Sequence, residues 1–279
     1  MTHQRLRSST SKQCPRWVLG SLALNGLLIL ALVITWQDRQ AVTLPQPSRL
    51  ANSAIAARTF VNLGPRHKLT YEEWVDLLRQ EAQVVAATKP SRLAILAGDS
   101  ITLWFPPDLL PVDRIWLNQG ISGETSAGLM KRLALFDQTQ PETIFVLIGI
   151  NDLIRGIAEA TVLANQQQIV RYLKSAHPKA QIVVQSILPH AADGAIWEGR
   201  KQLLTLSNDR IRRLNRQLMA MAANEGVFYL DLHPLFVDNE GNLRSDLTTD
   251  GLHLSPQGYW VWRSAIQVYS QVALKPVPP

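Results

Sequence analysis

At 279 residues, with 46% hydrophobic, 7% aromatic and 18% charged residues, the chain is near the globular average and long enough for one large or two small domains at about 150 residues each. Its 15 glycines and 16 prolines form no repeated tract, which excludes a collagen-like, disordered or solenoid chain, and its single cysteine, Cys14, excludes an internal disulfide framework and a zinc site of several thiolates. The net charge is +6, but Arg5, Arg7, Lys12 and Arg16 all precede the first acidic residue; the remainder carries little excess charge and no basic stripe interleaved with aromatics, so no nucleic-acid partner is expected.

From Trp17 to Trp36 the sequence is apolar, interrupted only by Ser21, Asn25 and Thr35, and it contains no charge. At 1.5 Å per residue such a helix spans roughly 30 Å, the thickness of a bilayer's hydrocarbon core. Tryptophans at both ends suit the interfacial belts, and the basic head before the run places the N-terminus in the cytoplasm and the rest of the chain outside it. The apolar core of a cleaved signal peptide is shorter, about 7 to 15 residues, and no small-x-small site follows promptly, so the segment reads as an uncleaved anchor. Cys14 precedes the run, which is not the position of a lipoprotein cysteine. Residues 37–69 lose periodicity and contain Pro45, Pro47 and Pro65, as a tether does. The expected division is a cytoplasmic head over 1–16, a transmembrane signal anchor over 17–36, a linker over 37–69 and a folded domain over 70–279.

Thr70 and Glu73 form a capping box, and Trp74, Leu77, Leu78, Val84 and Val85 recur at helical spacing until Lys89-Pro90. Short apolar runs then alternate with helical ones. Leu93 to Ala97, Ile115 to Leu117, Ile144 to Ile148, Ile182 to Ile187 and Val227 to Leu230 read as strands; Leu129 to Phe136, Val162 to Ala176 and Leu203 to Ala223 carry a 3.6-residue stripe. Ser255-Pro256 predicts the start of a last helix that runs to about Val272. This alternation is that of a parallel sheet with helices on both faces and right-handed crossovers. Ligands of such sheets bind beyond the carboxyl ends of the strands, so the residues after each apolar run carry the functional information.

Those residues are Gly98-Asp99-Ser100 after the first strand, Asn118-Gln119-Gly120-Ile121-Ser122-Gly123-Glu124-Thr125 after the second and Gly149-Ile150-Asn151-Asp152 after the third, with Asp250-Gly251-Leu252-His253 before the last helix. In this order they resemble the SGNH branch of the GDSL esterases and lipases, over roughly Ser91 to Val272. The resemblance implies a three-layer α/β/α sandwich with a five-stranded parallel, flavodoxin-like sheet, here preceded by one transmembrane helix, and a carboxylic ester hydrolase.

A serine hydroxyl becomes a nucleophile only when a base takes its proton and a carboxylate orients that base. Ser100, His253 and Asp250 meet this need, and the family pattern assigns them these roles; the i, i+3 spacing of Asp250 and His253 lets both side chains share one turn. Asp231-Leu232-His233 competes, because i, i+2 positions in an extended chain point the same way. Spacing leaves His233 open as the base. Three oxyanion donors are expected, and the resemblance implies the same trio: the Ser100 N–H, the Gly123 N–H and the Asn151 side-chain amide. Asp99 and Asp152 are expected to brace loops through backbone hydrogen bonds. Trp104, His190 and Trp197 are candidate substrate contacts, while His67 and His177 read as surface residues.

The Gly-x-Ser-x-Gly elbow, His-Glu-x-x-His, a Walker loop and Gly-x-Gly-x-x-Gly are absent, and no metal or cofactor is expected. The expected substrate is an ester, either a small molecule or a lipid or glycan ester outside the cytoplasm. An acyltransferase using the same residues on an envelope glycan or lipid is the alternative function, followed by an inactive glycan-binding module.

Overall fold

The five apolar runs form one parallel sheet in the computed structural model, which describes residues 69–275. The expected head and membrane span, and all of the linker except its last residue, lie outside the described residues. Among the described residues no helix is long and apolar enough to cross a membrane.

Thr70 caps α1 (Tyr71–Thr88) through the expected box: the Glu73 N–H donates to the Thr70 hydroxyl at 3.2 Å and the Thr70 N–H to the Glu73 carboxylate at 2.7 Å. Lys89, in the left-handed region, ends the helix. The chain continues through β1 (Leu93–Gly98), the short α2 (Ser100–Leu103), β2 (Ile115–Gly120), α3 (Ser126–Arg132), β3 (Thr143–Leu147), α4 (Ile150–Ile154), α5 (Glu159–Ala176) and β4 (Gln181–Gln185). It ends with α6 (Arg200–Leu203), α7 (Asn208–Glu225), β5 (Phe228–Leu230), α8 (His233–Phe236) and α9 (Pro256–Val272).

The strand order is β2-β1-β3-β4-β5, the flavodoxin-like order, and every pairing is parallel. β1 and β3 are buried along their whole length, as a strand covered on both faces must be. The crossovers after β2, β3 and β4 all step in one direction along the sheet and carry α3, α5 and α7 onto one face, with α3 against α5 and α5 against α7. The step from β1 to β2 runs the other way, so right-handedness puts it on the opposite face. There Phe105 packs against Tyr259 and Trp262 of α9. The reversal falls between β1 and β3, and the crevice it opens lies at the ends of those two strands.

Three helices differ from the sequence expectation, the simplest being α5, which starts at Glu159 rather than Val162. The stripe over Leu203 to Ala223 is two helices, because Ser207 caps α7 through its hydroxyl, while Leu203 and Leu206 stay buried and continue the apolar pattern across the break. The stripe over Leu129 to Phe136 starts earlier, at the Thr125 cap, and tightens into a 3₁₀ turn over Leu133–Phe136.

Candidate active site

β1 delivers Ser100 to the crevice. A Cβ on Gly98 would lie 2.2 Å from the Leu147 carbonyl, so the strands converge here only with glycine. Asp99 then caps α2, accepting the Ile101 N–H at 3.0 Å, and Ser100 becomes the first helical residue. The N–H groups of a helix's first turn have no partner within the helix, which leaves that of Ser100 available.

The partner of Ser100 comes from a tight segment before α9. His253 Nε2 lies 3.0 Å from Ser100 Oγ, and His253 Nδ1 lies 2.7 Å from Asp250 Oδ2. With a carboxylate at Nδ1, that nitrogen carries the proton and Nε2 is left to accept from the serine hydroxyl. The other oxygen of Asp250 accepts the N–H groups of Leu252 and His253 at 2.9 and 2.8 Å. Burial pushes the Asp250 carboxyl up, but the hydrogen bonds from the His253 side chain and from these two N–H groups outweigh it and hold its pKa below the usual carboxylate range. Asp250 is therefore ionised where the imidazole needs it.

The loop after β4 supports that segment from outside. The Ile196 and Trp197 N–H groups donate to the Asp250 carbonyl at 2.8 and 2.9 Å, and the Ala191 N–H donates to the Gly251 carbonyl at 2.8 Å. Gly251 has φ +91°, and a Cβ there would lie 2.5 Å from Ala195 Cα. Trp197 is half-buried with its ring folded back over Gly199. His190 has both ring nitrogens engaged, Nε2 with the Leu206 carbonyl at 2.6 Å and Nδ1 with the Ala192 N–H at 3.1 Å, and burial lowers its pKa. Trp104 is different: its ring lies against His253 at 4.2 Å between centroids, and it is 38% exposed. A groove of about 610 Å³ between the 191–196 loop and the 238–251 segment borders Asp250 but neither Ser100 nor His253.

Gly123 and Asn151 come from the ends of the neighbouring strands. Ile121 to Glu124 form a turn closed by the Glu124 N–H on the Ile121 carbonyl at 3.3 Å, with φ +72° at Gly123 and an ordinary φ at Ser122, the signature of a type II turn. Asn151 donates one amide hydrogen to the Glu124 carbonyl at 3.0 Å, which leaves the second for a ligand. Gly149, not Asn151, caps α4.

Beneath this surface lies a buried polar layer. Asp152 accepts from the Ser126 N–H and hydroxyl at 2.8 and 2.6 Å. Burial raises its pKa, with those two bonds opposing. Arg132 pairs with Glu124 at 2.8 Å and donates to the carbonyls of Gln119 and Gly98, tying the ends of β1 and β2 together. Sequence reading missed Arg132 and Ser126; the one available signal was a charged residue inside the apolar stripe of α3.

The remaining histidines lie elsewhere. His233 follows β5 with its backbone N–H on the Ser186 hydroxyl and its side chain buried, and burial lowers its pKa. The expectation of a surface position for His177 is corrected: it is 5% exposed, because its ring stacks on Phe136 at 5.7 Å. His67 lies outside the described residues. Among the described residues no group of three or more His, Cys, Asp or Glu side chains is placed to hold a metal ion.

Residues 70–261 match the model of the GDSL-like lipase/acylhydrolase family. The chain belongs to this family. Its members are ester-bond hydrolases, and the matched range holds Ser100, Gly123, Asn151, Asp250 and His253. Over 145 residues the chain is 28% identical to the platelet-activating factor acetylhydrolase IB subunit alpha1 of Bos taurus, a match covering 51% of this chain and 58% of that subunit's length. Among solved structures, a protein of Streptococcus pneumoniae described as a candidate platelet activating factor superposes with a TM-score of 0.65 at 22% identity, covering 80% of this chain and 99% of that one. A GDSL-like lipase of Bacteroides thetaiotaomicron superposes with a TM-score of 0.58 at 21% identity, covering 72% and 100%. These structural likenesses establish the GDSL fold.

Proposed function

We propose that the protein is a serine esterase that cleaves carboxylic esters through an acyl-enzyme on Ser100. The observation that carries this reading is the hydrogen-bonded series Ser100 Oγ, His253 Nε2, His253 Nδ1 and Asp250 Oδ2, at 3.0 and 2.7 Å. As Ser100 Oγ bonds to the ester carbonyl carbon, its proton passes to His253 Nε2, and Asp250 stabilises the imidazolium. The carbonyl oxygen becomes an oxyanion between the N–H groups of Ser100 and Gly123 and the second amide hydrogen of Asn151; one such donor is worth about 2.7–4 kcal/mol of barrier. Collapse breaks the bond to the leaving alkoxide, which takes the proton from His253. Water, deprotonated by His253, then releases the acid and restores Ser100. Trp104 borders the site as a contact for the acyl or alcohol group.

The test is hydrolysis of p-nitrophenyl esters from acetate to octanoate, with Ser100→Ala, His253→Ala and His233→Ala beside the wild type. Ser100→Ala and His253→Ala should abolish nearly all activity, and a fluorophosphonate should label the wild type but not Ser100→Ala. A severe His233→Ala with a mild His253→Ala would refute the assignment of the base. Adding sugar acceptors separates hydrolysis from acyl transfer.

The apolar run over 17–36 supports an anchored enzyme with its folded domain outside the cytoplasm. Full-length protein should then stay in the membrane fraction, with the domain digested when protease is added to intact spheroplasts. Survival of the domain would refute the orientation, and a mature N-terminus beyond Trp36 would refute the anchor.

A further inference from the structure

We propose that Arg155 is a positioning residue for the oxyanion hole, acting through the carbonyl of Gly123. The inference rests on the esterase reading and adds to it a residue outside the expected trio. In a type II turn the peptide between the second and third residues is turned over relative to type I, and only a positive φ at the third residue permits this. The Gly123 N–H belongs to that peptide. Its direction, and so its value as a donor, depends on the turn remaining type II.

Two side chains hold the turn in place, Asn151 in the first turn of α4 and Arg155 at its C-cap. Asn151 donates to the Glu124 carbonyl at 3.0 Å, and Arg155 Nη2 donates to the Gly123 carbonyl at 2.8 Å. They stand four residues apart, on one face of the helix, and the Arg155 N–H closes the last turn on the Asn151 carbonyl at 3.1 Å. Consecutive carbonyls of the turn are thus gripped from one helix. Asn151 also serves the oxyanion, which leaves Arg155 as the arm whose role is to hold. A guanidinium is suited to it, because a hydrogen bond from a charged donor is roughly twice as strong as a neutral one.

The surroundings of Arg155 favour this role over a surface ion pair. It is exposed, yet among the described residues it has no carboxylate within ion-pair distance, and its side-chain hydrogen bond goes to Gly123. The guanidinium also covers the turn: Nη2 lies 3.6 Å from where a Cβ on Gly123 would stand.

The test compares wild type, Arg155→Ala and Arg155→Lys on p-nitrophenyl acetate. If the arm aims a donor, kcat of Arg155→Ala should fall by about tenfold, less than outright removal of a donor, with KM changing less than about twofold. Arg155→Lys should fall between. Guanidinium ion on the order of tens of millimolar, far below the molar range that unfolds proteins, should restore part of kcat to Arg155→Ala and leave wild type unchanged. Amide hydrogen exchange over 121–125 should quicken in Arg155→Ala while exchange in β1 and β3 is unaltered. Unchanged kcat and exchange would overturn the proposal, as would a loss confined to KM, which would make Arg155 a contact for an anionic substrate. An inactive wild type refutes the esterase reading instead, and the exchange measurement still decides whether Arg155 holds the turn.

Discussion

The indole of Trp104 rests against the imidazole of His253, ring centroids 4.2 Å apart and planes inclined by 36°. Ser100 and Trp104 are four residues apart, joined by the Trp104 N–H on the Ser100 carbonyl at 3.0 Å, so one turn supplies both Ser100 and the plate against His253. An imidazole fixed only at its two nitrogens can still tilt about the line between them; the indole opposes that motion. A contact of this type is worth about 0.5–1.5 kcal/mol, and kcat/KM of Trp104→Ala on a short ester should fall by about two- to tenfold, with Trp104→Phe recovering most of it. Equal kcat/KM for Trp104→Ala and wild type would show that Asp250 alone orients the ring.

Gly123→Ala separates backbone conformation from space. A Cβ at this position meets nothing closer than Arg155 Nη2 at 3.6 Å, so steric exclusion is not the reason for glycine; the φ of +72° is. An L-residue held there costs about 1–2 kcal/mol, which the turn can relieve by relaxing to type I and turning its central N–H away. The expected result is a modest fall in Tm with kcat lower by about 10²-fold. A lower Tm with unchanged kcat would remove Gly123 from the oxyanion hole.

Asp99 links the cap of α2 to pH. It is fully buried, and burial, with Asp152 and Glu124 nearby and the Ile101 N–H opposing, pushes its pKa up to about 7. An unfolded chain titrates this group near 3.9, so between about pH 4 and pH 7 the folded state holds a proton that the unfolded state has lost. The contribution of this group to stability is therefore fully present below about pH 4 and is lost as pH rises through 7. Asp99→Asn keeps an oxygen for the Ile101 N–H and has no proton to lose, and its advantage in Tm over wild type should be greater at pH 8 than at pH 5. Parallel Tm curves across that range would mean that the buried carboxyl is neutralised in some other way.

The strand ends were legible because buried parallel strands are short apolar runs and the candidate site residues follow directly: Ser100, Gly123 and Asn151 each stand just beyond one. The choice between His253 and His233 was not, since both spacings allow a carboxylate partner and only the tertiary path of the chain brings one of them to Ser100. The break at Ser207 was hidden because Leu206 keeps the helical apolar period while leaving the helix. His177 read as polar and exposed, but stacking on Phe136 buries it, a contact between elements that no local pattern encodes. The polar layer of Arg132, Glu124, Ser126 and Asp152 was legible only in part: Asp152 was expected as a brace, but the partners were hidden, because the bonds join the loop and helix after β2 to the ends of β1, β2 and β3.

Asn151 tests whether one amide has two roles. Its bond to the Glu124 carbonyl is structural, and removing such a bond costs about 0.5–1.5 kcal/mol of stability. Its second hydrogen, on the esterase reading, meets charge that develops only in the transition state, so Asn151→Ala should lower kcat by about 10²–10³-fold with little change in KM. Asn151→Asp distinguishes the two contributions further. It preserves size but places a carboxylate where both hydrogens were, so it should repel the Glu124 carbonyl and an oxyanion alike. Both Tm and kcat should then fall below those of Asn151→Ala. If Asn151→Ala instead melts lower and keeps a kcat close to wild type, the amide is only a brace for the turn, and the oxyanion is held by the N–H groups of Ser100 and Gly123.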